Sequence, residues 1–234
     1  MADAEFDGQA TAIAARVRDL ASDGAIAPHE RFAAACRGSA NPAALAWIAE
    51  NLALQRSSTV ADLGSGLGGP ASWIAARYGC VVVALEPAPS AAAASRALFP
   101  LRVVNASSTA VPFRTGAFDA ALLLGVVSVV DDGVGVLGEA RRVARTLGLL
   151  DYCSTQFGAV YAGGSCFRTP TALQRLVAAA GWRVEQASPM PVQAPRSWSD
   201  AAAKVNVRSE SNEAEVAAVI EAGSIAPYML VASR

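Results

Sequence analysis

Short apolar segments alternate with helical patterns along the middle of the chain, and this alternation limits the fold more than any other feature of the sequence. Helical patterns lie at residues 70–77, 90–98 and 135–145. Between and around them, five segments have the length and apolar character of buried strands: 60–63, 80–85, 101–104, 118–124 and 147–152. Strands that alternate with helices predict a parallel sheet with right-handed crossovers.

Helices are also predicted on both sides of this region. Three of them, at residues 9–22, 28–36 and 42–54, precede the first strand and would form an N-terminal layer. After the fifth strand, a helix at residues 169–181 is followed by strands at 182–187 and 226–232, which would pair as an antiparallel edge. We therefore predict an α/β fold: a doubly wound, mostly parallel seven-stranded sheet with an antiparallel last strand, plus an N-terminal helical layer.

The length of 234 residues fits one domain and is too short for two full enzymatic domains. We divide residues 1–234 into four parts, listed in chain order: an N-terminal helical lid (1–56), an α/β core (57–188), an insertion or cap (189–223) and a final strand (224–234). The insertion starts with a proline-rich stretch, Pro189, Pro191 and Pro195, and two helices are expected in it, at residues 197–205 and 212–222. Substrate choice or the contacts of a homodimer would lie there.

Charge and composition exclude several classes of partner. The chain has Lys+Arg 19, Asp+Glu 20 and a net charge of −1, so it lacks the basic field that neutralises a nucleic-acid backbone. The longest uncharged apolar run, residues 120–130, is shorter than the roughly 20 residues of a membrane helix, and we assign it to a buried strand. The first seven residues lack the order of a signal peptide, so a cytoplasmic location is expected.

The four cysteines form no C-x-x-C pair and His29 is the only histidine, so we expect neither a metal site nor a disulfide framework.

A glycine-rich turn, residues 62–70 (Asp-Leu-Gly-Ser-Gly-Leu-Gly-Gly-Pro), follows the first predicted strand directly. Glycine allows a positive φ and a close approach of backbone to a ligand, and Pro70 suits the first turn of the next helix. The amides at that helix start would be aimed at an anionic group. Glu86 ends the second strand, where a carboxylate can accept hydrogen bonds from both ribose hydroxyls of a nucleoside. The same glycines also satisfy the dinucleotide fingerprint G-x-G-x-x-G, so these residues alone leave two cofactor classes open.

Residues 60–70, with the Asp62-x-Gly64 start, resemble motif I of the class I S-adenosylmethionine-dependent methyltransferases of small molecules, which have a Rossmann-like core. The resemblance continues at Leu85-Glu86-Pro87, at residues 111–119 and at residues 139–145, and is weaker in the last strand. It covers roughly residues 59–152 and separates this chain from dehydrogenases, in which Asp62-x-Gly64 is unusual.

The resemblance implies that S-adenosyl-L-methionine is the cofactor, with S-adenosyl-L-homocysteine as product. The residues expected to contact it are Asp62, Gly64, Ser65, Gly66, Glu86, Pro87, Ser107, Ser108 and Gly125. Among them, Glu86 would hold the ribose, Pro87 would lie along the adenine edge, and Asp62 would sit near the methionyl end.

The sequence departs from the family pattern in three places. Ser107 stands where an acidic residue often contacts the adenine amino group, and an uncharged acceptor holds that amine less strongly. The segment after the fourth strand, residues 125–132, lacks the histidine that is frequent there, so the obvious general base is missing. The proline-glycine-glycine turn before the fifth strand is shortened to residues 145–148, away from the site.

Methyl transfer from a sulfonium chiefly requires alignment of the acceptor with the methyl group, and many such enzymes use one base or none. His29 is a candidate base because its ordinary pKa suits proton removal near neutral pH, although a solvent-facing role at a helix start is favoured. Asp131 follows the fourth strand at the carboxyl edge, where it or Asp132 could instead cap the next helix. Tyr161 lies in a glycine-flanked loop after the fifth strand and would form part of a lid.

The leading hypothesis is methyl transfer to an O, N or C nucleophile of a small, largely apolar metabolite. A second hypothesis keeps the cofactor fold for another task, either a cyclisation or rearrangement or a non-catalytic binding role. A third, a nicotinamide-dependent reductase, depends only on the glycine spacing. The expected partner is a small molecule, with neither nucleic acid nor membrane.

Overall fold

The computed structural model describes residues 2–36, 38, 40–189, 196–205 and 212–234. The helices among these residues are α1 (Ala2–Ser22), α2 (Arg31–Ala34), α3 (Pro42–Asn51), α4 (Gly69–Tyr78), α5 (Pro89–Leu98), α6 (Gly133–Val143), α7 (Pro170–Ala179), α8 (Arg196–Val205) and α9 (Asn212–Glu221). The strands are β1 (Thr59–Leu63), β2 (Val81–Glu86), β3 (Arg102–Asn105), β4 (Phe118–Leu124), β5 (Ala144–Ser154), β6 (Val160–Ala162), β7 (Ser165–Phe167), β8 (Arg183–Pro189) and β9 (Ile225–Ser233). A short 3-10 turn, Pro28–Glu30, precedes α2.

Seven of these strands form one sheet in the order β3-β2-β1-β4-β5-β9-β8. The pairs from β3 to β5 are parallel, whereas β9 runs antiparallel to both β5 and β8. The order reverses between β1 and β4, so the carboxyl ends of these two strands flank a crevice of the kind that binds ligands in open α/β sheets. The predicted fold class, including the antiparallel last strand, is confirmed.

Helices cover both faces of the sheet. Alternate residues of each strand point to opposite sides, so each strand contributes to the core on both faces. On one face, Leu123 and Leu149 pack with α6 and α7 in a core cluster. On the other face, Leu122 and Leu150 pack with α3 and α4. A third cluster joins α1 and α5 and includes Leu67 of the glycine-rich turn, so the N-terminal layer packs directly against that turn.

Side-chain caps fix several helix starts. Asn41 accepts hydrogen bonds from the backbone N–H of Ala43 and Ala44 at the start of α3, both at 3.0 Å. Thr169 caps α7, and Asp132 accepts from the amide of Gly135 at 2.7 Å and caps α6. The sequence predicts that Asp131 or Asp132 could cap the helix after β4. This capping role is confirmed for Asp132.

The boundaries differ from prediction where strand and helix meet. Helix α6 ends at Val143 and β5 begins at Ala144, so the shortened turn expected at residues 145–148 is wrong: these residues belong to the strand. The apolar run 120–130 is strand only as far as Leu124. The short hairpin of β6 and β7 was not predicted. Helices α8 and α9 lie where the insertion was expected to be helical, while Pro191 and Pro195 fall outside the described residues.

None of the helices described here is long and apolar enough to cross a membrane. All four cysteines are free thiols.

Candidate functional site

The glycine-rich turn is held in shape by the neighbouring strand β2. The amides of Gly64 and Ser65 both donate to the carbonyl of Leu85, at 2.8 and 2.9 Å. Gly64 and Gly66 adopt φ of +83° and +55°, the left-handed region in which a Cβ is costly. The amides of Gly64 and Ser65 are therefore already hydrogen-bonded within the protein, and the turn has its shape without a ligand. Pro70 occupies the second position of α4, one residue later than predicted.

Glu86, at the end of β2, fastens the same turn through its carboxylate. Its Oε2 accepts from the amide of Gly66 at 2.7 Å, and its Oε1 accepts from the amide of Ala88 at 3.0 Å. The side chain is 5 % exposed. A carboxylate held in this way at the end of β2 lies where a ligand diol would meet it.

Asp62 and Ser65 carry buried polar atoms that no described residue satisfies. Asp62 is 1 % exposed, and neither its Oδ1 nor the Ser65 hydroxyl oxygen has a hydrogen-bond partner among the described residues. Burial, assisted by the negative charge of Glu86, raises the pKa of Asp62 from 3.8 to about 7. A cationic ligand group at Oδ1 would supply the missing hydrogen bond and favour the ionised carboxylate.

The adenine side of the expected site is more polar and more open. Ser107 is exposed, and its hydroxyl lies 2.8 Å from the hydroxyl of Thr109. Ser108 is buried and Pro87 is half-buried. The side-chain amide of Asn105 donates through Nδ2 to the backbone carbonyls of Glu86 and Pro87, and this fixes the chain at and just after Glu86.

The loop between β4 and α6 covers the glycine-rich turn from the side on which an acceptor would bind. Gly125 starts it with φ of +79°, and its amide donates to the carbonyl of Leu150 at 2.7 Å. A Cβ added at Gly64 would lie 2.7 Å from Cγ2 of Val126, so the loop packs closely on the turn. Glycine at position 64 is therefore required by packing as well as by φ.

A buried carboxylate on β5 anchors this loop. Asp151 is 2 % exposed; its Oδ1 accepts from the Ser128 hydroxyl at 2.6 Å and its Oδ2 from the Ser128 amide at 2.9 Å. Burial raises the pKa of Asp151, and the hydrogen bonds from Ser128 oppose that rise. Sequence reasoning noticed Ser128 only as part of a loop that lacks histidine and missed Asp151. A charged residue at the end of an otherwise apolar strand was the available signal.

The three candidate catalytic residues, His29, Asp131 and Tyr161, lie on separate segments, and no hydrogen bond among the described residues joins them. His29 is exposed on the 3-10 turn, as the favoured solvent-facing interpretation has it, and Asp131 is exposed beside the cap of α6. Tyr161 is 76 % exposed on β6. A phenol is protonated at neutral pH, and the neighbouring Cys166 raises the pKa of Tyr161 further, so this group suits hydrogen-bond donation better than proton removal.

The remaining thiol near the site, Cys153, is buried on β5. Burial and the charge of Asp151 raise its pKa to about 12, so it is an unreactive core residue at neutral pH.

Part of this chain matches a known protein family. Residues 61–150 match the family described as "Methyltransferase domain". A comparison with curated proteins finds no match.

Among solved structures, the [4+2]-cyclase SpnF is similar with a TM-score of 0.68 at 16% identity, over 81% of this chain and 80% of that one. Geranyl diphosphate C-methyltransferase from Streptomyces coelicolor A3(2), solved with Mg²⁺, geranyl diphosphate and S-adenosyl-L-homocysteine, has a TM-score of 0.64 at 15% identity, over 81% and 78% of the two chains. A geranyl diphosphate methyltransferase in complex with S-adenosylmethionine has a TM-score of 0.63 at 17% identity, over 81% and 85%. At these identities the structural likeness concerns the fold. Together with the family match, it confirms the resemblance found in the sequence.

Proposed function

We propose that the protein transfers a methyl group from S-adenosylmethionine to a small, largely apolar metabolite, because residues 61–150 match the family described as "Methyltransferase domain". The acceptor atom is an O, N or C nucleophile. The observation that carries the proposal is the buried pair Asp62 and Glu86 around a preorganised glycine-rich turn.

The polar atoms of this site fit the three parts of the cofactor. The buried carboxylate of Glu86, at the end of β2, would accept from the ribose hydroxyls. The unpartnered Oδ1 of Asp62 and hydroxyl of Ser65 suit the charged methionyl end. Ser107 and Ser108 offer hydroxyl groups on the adenine side, beyond the half-buried Pro87.

The bound cofactor would supply an electrophilic methyl on a sulfonium, and the protein would supply alignment. The loop from Gly125 to Val130 would face the acceptor; Val126 and Val127 are buried, and Val129 is exposed. None of its side chains is a strong base, so we expect an acceptor whose reacting atom needs little help from a base. The exposed positions of His29 and Asp131 agree with this requirement.

Isothermal titration calorimetry with S-adenosylmethionine tests the cofactor assignment. Glu86→Gln keeps the size of the side chain and one acceptor oxygen but loses the charge, so we expect affinity to fall by about tenfold or more. Glu50→Gln, at an exposed position of α3, is the matched control and should bind like the wild-type protein. Absence of binding by the wild-type protein would refute the proposal.

A second function is favoured by one observation. His29, Asp131 and Tyr161 are all exposed, and the loop after β4 is mostly apolar. Such a site could promote a cyclisation or rearrangement, or serve as a non-catalytic partner, and the [4+2]-cyclase SpnF shares the fold. Incubation with methyl-labelled cofactor and candidate metabolites separates the two. Label in the product supports methyl transfer, whereas conversion of substrate without loss of label from the cofactor supports the second function.

A further inference from the structure

An arginine lies beside the loop that would face the acceptor. Arg168 follows β7 and is half-buried. Its Nη1 donates to the carbonyls of Val127 and Cys166, at 3.2 and 3.5 Å. Its other guanidinium nitrogens donate to no described residue, and it forms no ion pair within the described part of the chain. The guanidinium therefore has donors left for an anionic group such as a carboxylate or phosphate.

The hairpin of β6 and β7 directs this arginine toward the same side as Tyr161. Tyr161 pairs with Cys166 across the hairpin, and alternation along β7 places Arg168 on their face. The opposite face, with Val160 and Phe167, packs against β9 and α9. The face that carries the arginine is therefore the one left for a ligand.

This face is joined to the cofactor side of the site through the β4–α6 loop. The amide of Cys166 donates to the carbonyl of Ser128 at 2.8 Å, and Arg168 bonds to Val127. The next residue toward β4, Val126, is the one that packs on Gly64. Only this short loop separates the guanidinium from the glycine-rich turn.

Tyr161 provides a second donor of the right kind. Its hydroxyl is protonated at neutral pH, as phenols ordinarily are. The neighbouring Cys166 raises the pKa of this phenol further, whereas the positive charge of Arg168 lowers it. A neutral phenol next to a guanidinium can donate to an anionic oxygen that the guanidinium also binds.

Apolar side chains are exposed on the two adjoining loops. Phe157, between β5 and β6, is fully exposed, and Val129, next to Ser128, is 43 % exposed. Exposed large apolar side chains on loops that adjoin this hairpin suit a ligand with an apolar body, and the guanidinium suits an anionic end.

We propose that Arg168, with the hydroxyl of Tyr161, binds a carboxylate or phosphate group of the methyl acceptor, so that the acceptor is an amphiphile with one anionic end. This inference rests on the proposed function, because it assigns the acceptor side of the same site. It narrows the substrate class from largely apolar molecules to apolar molecules that carry one such group.

Three eight-carbon probes test the proposal by calorimetry: octanoate, octyl phosphate and the neutral octanol. Each is titrated into the protein with and without saturating S-adenosyl-L-homocysteine. We expect at least one anion to bind about ten- to a hundredfold more tightly than octanol, the range for hydrogen bonds to a charged group. The comparison of octanoate with octyl phosphate shows which anion the site prefers.

Arg168→Gln should remove the preference for the anion and leave the affinities for octanol and S-adenosyl-L-homocysteine unchanged, which also shows that the variant is folded. Arg168→Lys should retain part of the preference, since it keeps the charge but not the planar fork. Arg175→Gln, at an exposed position of α7, is the control and should behave like the wild-type protein.

Equal affinity for the three probes, no binding of either anion, or an unchanged preference in Arg168→Gln would overturn the inference. Failure of the wild-type protein to bind S-adenosyl-L-homocysteine counts instead against the proposed function, and the titrations without that ligand still test Arg168.

Discussion

The buried carboxyl of Asp62 should make the stability of the ligand-free protein depend on pH in a way that one substitution removes. Asp62 is 1 % exposed, and burial followed by the charge of Glu86 raises its pKa from 3.8 to about 7. A carboxyl with a raised pKa binds its proton more tightly in the folded state than in the unfolded state. Its ionisation therefore lowers the free energy of unfolding as the pH rises from about 4 to above 7.

The magnitude follows from the two pKa values. One pKa unit corresponds to about 1.36 kcal/mol, so the whole shift costs about 4 kcal/mol once the folded carboxyl is ionised. Between pH 5 and pH 8, linkage gives a loss of about 2.5 kcal/mol from this group alone. Asp62→Asn removes the titration, so its stability relative to the wild-type protein should improve by about that amount over this interval.

Urea unfolding of both proteins at pH 5 and pH 8 measures this difference, because the contributions of titrating groups that do not interact with Asp62 cancel in the comparison. Asp23→Asn, in the exposed turn after α1, is the control and should follow the wild-type protein at both pH values. If the stability difference between Asp62→Asn and the wild-type protein is the same at pH 5 and pH 8, the assignment of a strongly raised pKa to Asp62 is refuted.

Three further outcomes are expected from the geometry around the site. Gly64→Ala places a Cβ at a φ of +83° and against the β4–α6 loop, so it should destabilise the protein by about 1–2 kcal/mol or more in urea unfolding; an unchanged midpoint contradicts the close packing. Ser128→Ala removes the 2.6 Å hydrogen bond to the buried Asp151 and should cost about 1.5–3 kcal/mol, and equal stability would show that the carboxylate does not anchor the loop. Cys153, with a pKa of about 12, should react with a maleimide at pH 8 far more slowly than the half-buried Cys166, as mass spectrometry of the labelled peptides can show; equal rates contradict its burial.

The central sheet and its cofactor turn could be predicted because their signals are local. Apolar runs between helical patterns identify parallel strands, and the start of the motif at Asp62 follows directly on the strand that positions it. The order of the strands in the sheet then brings Glu86 to Gly66, twenty residues earlier in the chain. Strands β1 and β2, which lead into the turn and into Glu86, are neighbours both in the chain and in the sheet, so little long-range information was needed.

The acceptor side could not be predicted in the same way, because its contacts depend on register between distant segments. Asp151 meets Ser128 only because β5 lies beside β4 with Leu150 opposite Leu124. Strands β6 and β7 have three residues each, too few for a periodic pattern, so the placement of Arg168 beside Val127 was invisible in the sequence. Local chemistry indicated Tyr161 as a residue of this loop, but its donor role depends on Cys166 across the hairpin.

The central claim is that the turn and carboxylates from Asp62 to Glu86 bind S-adenosylmethionine rather than a dinucleotide. Parallel calorimetric titrations of one preparation of the wild-type protein with S-adenosylmethionine and with NADH test it most directly. The account predicts saturable binding of S-adenosylmethionine and none of NADH, and a marked loss of the former in Glu86→Gln. Tight binding of NADH without binding of S-adenosylmethionine would contradict it.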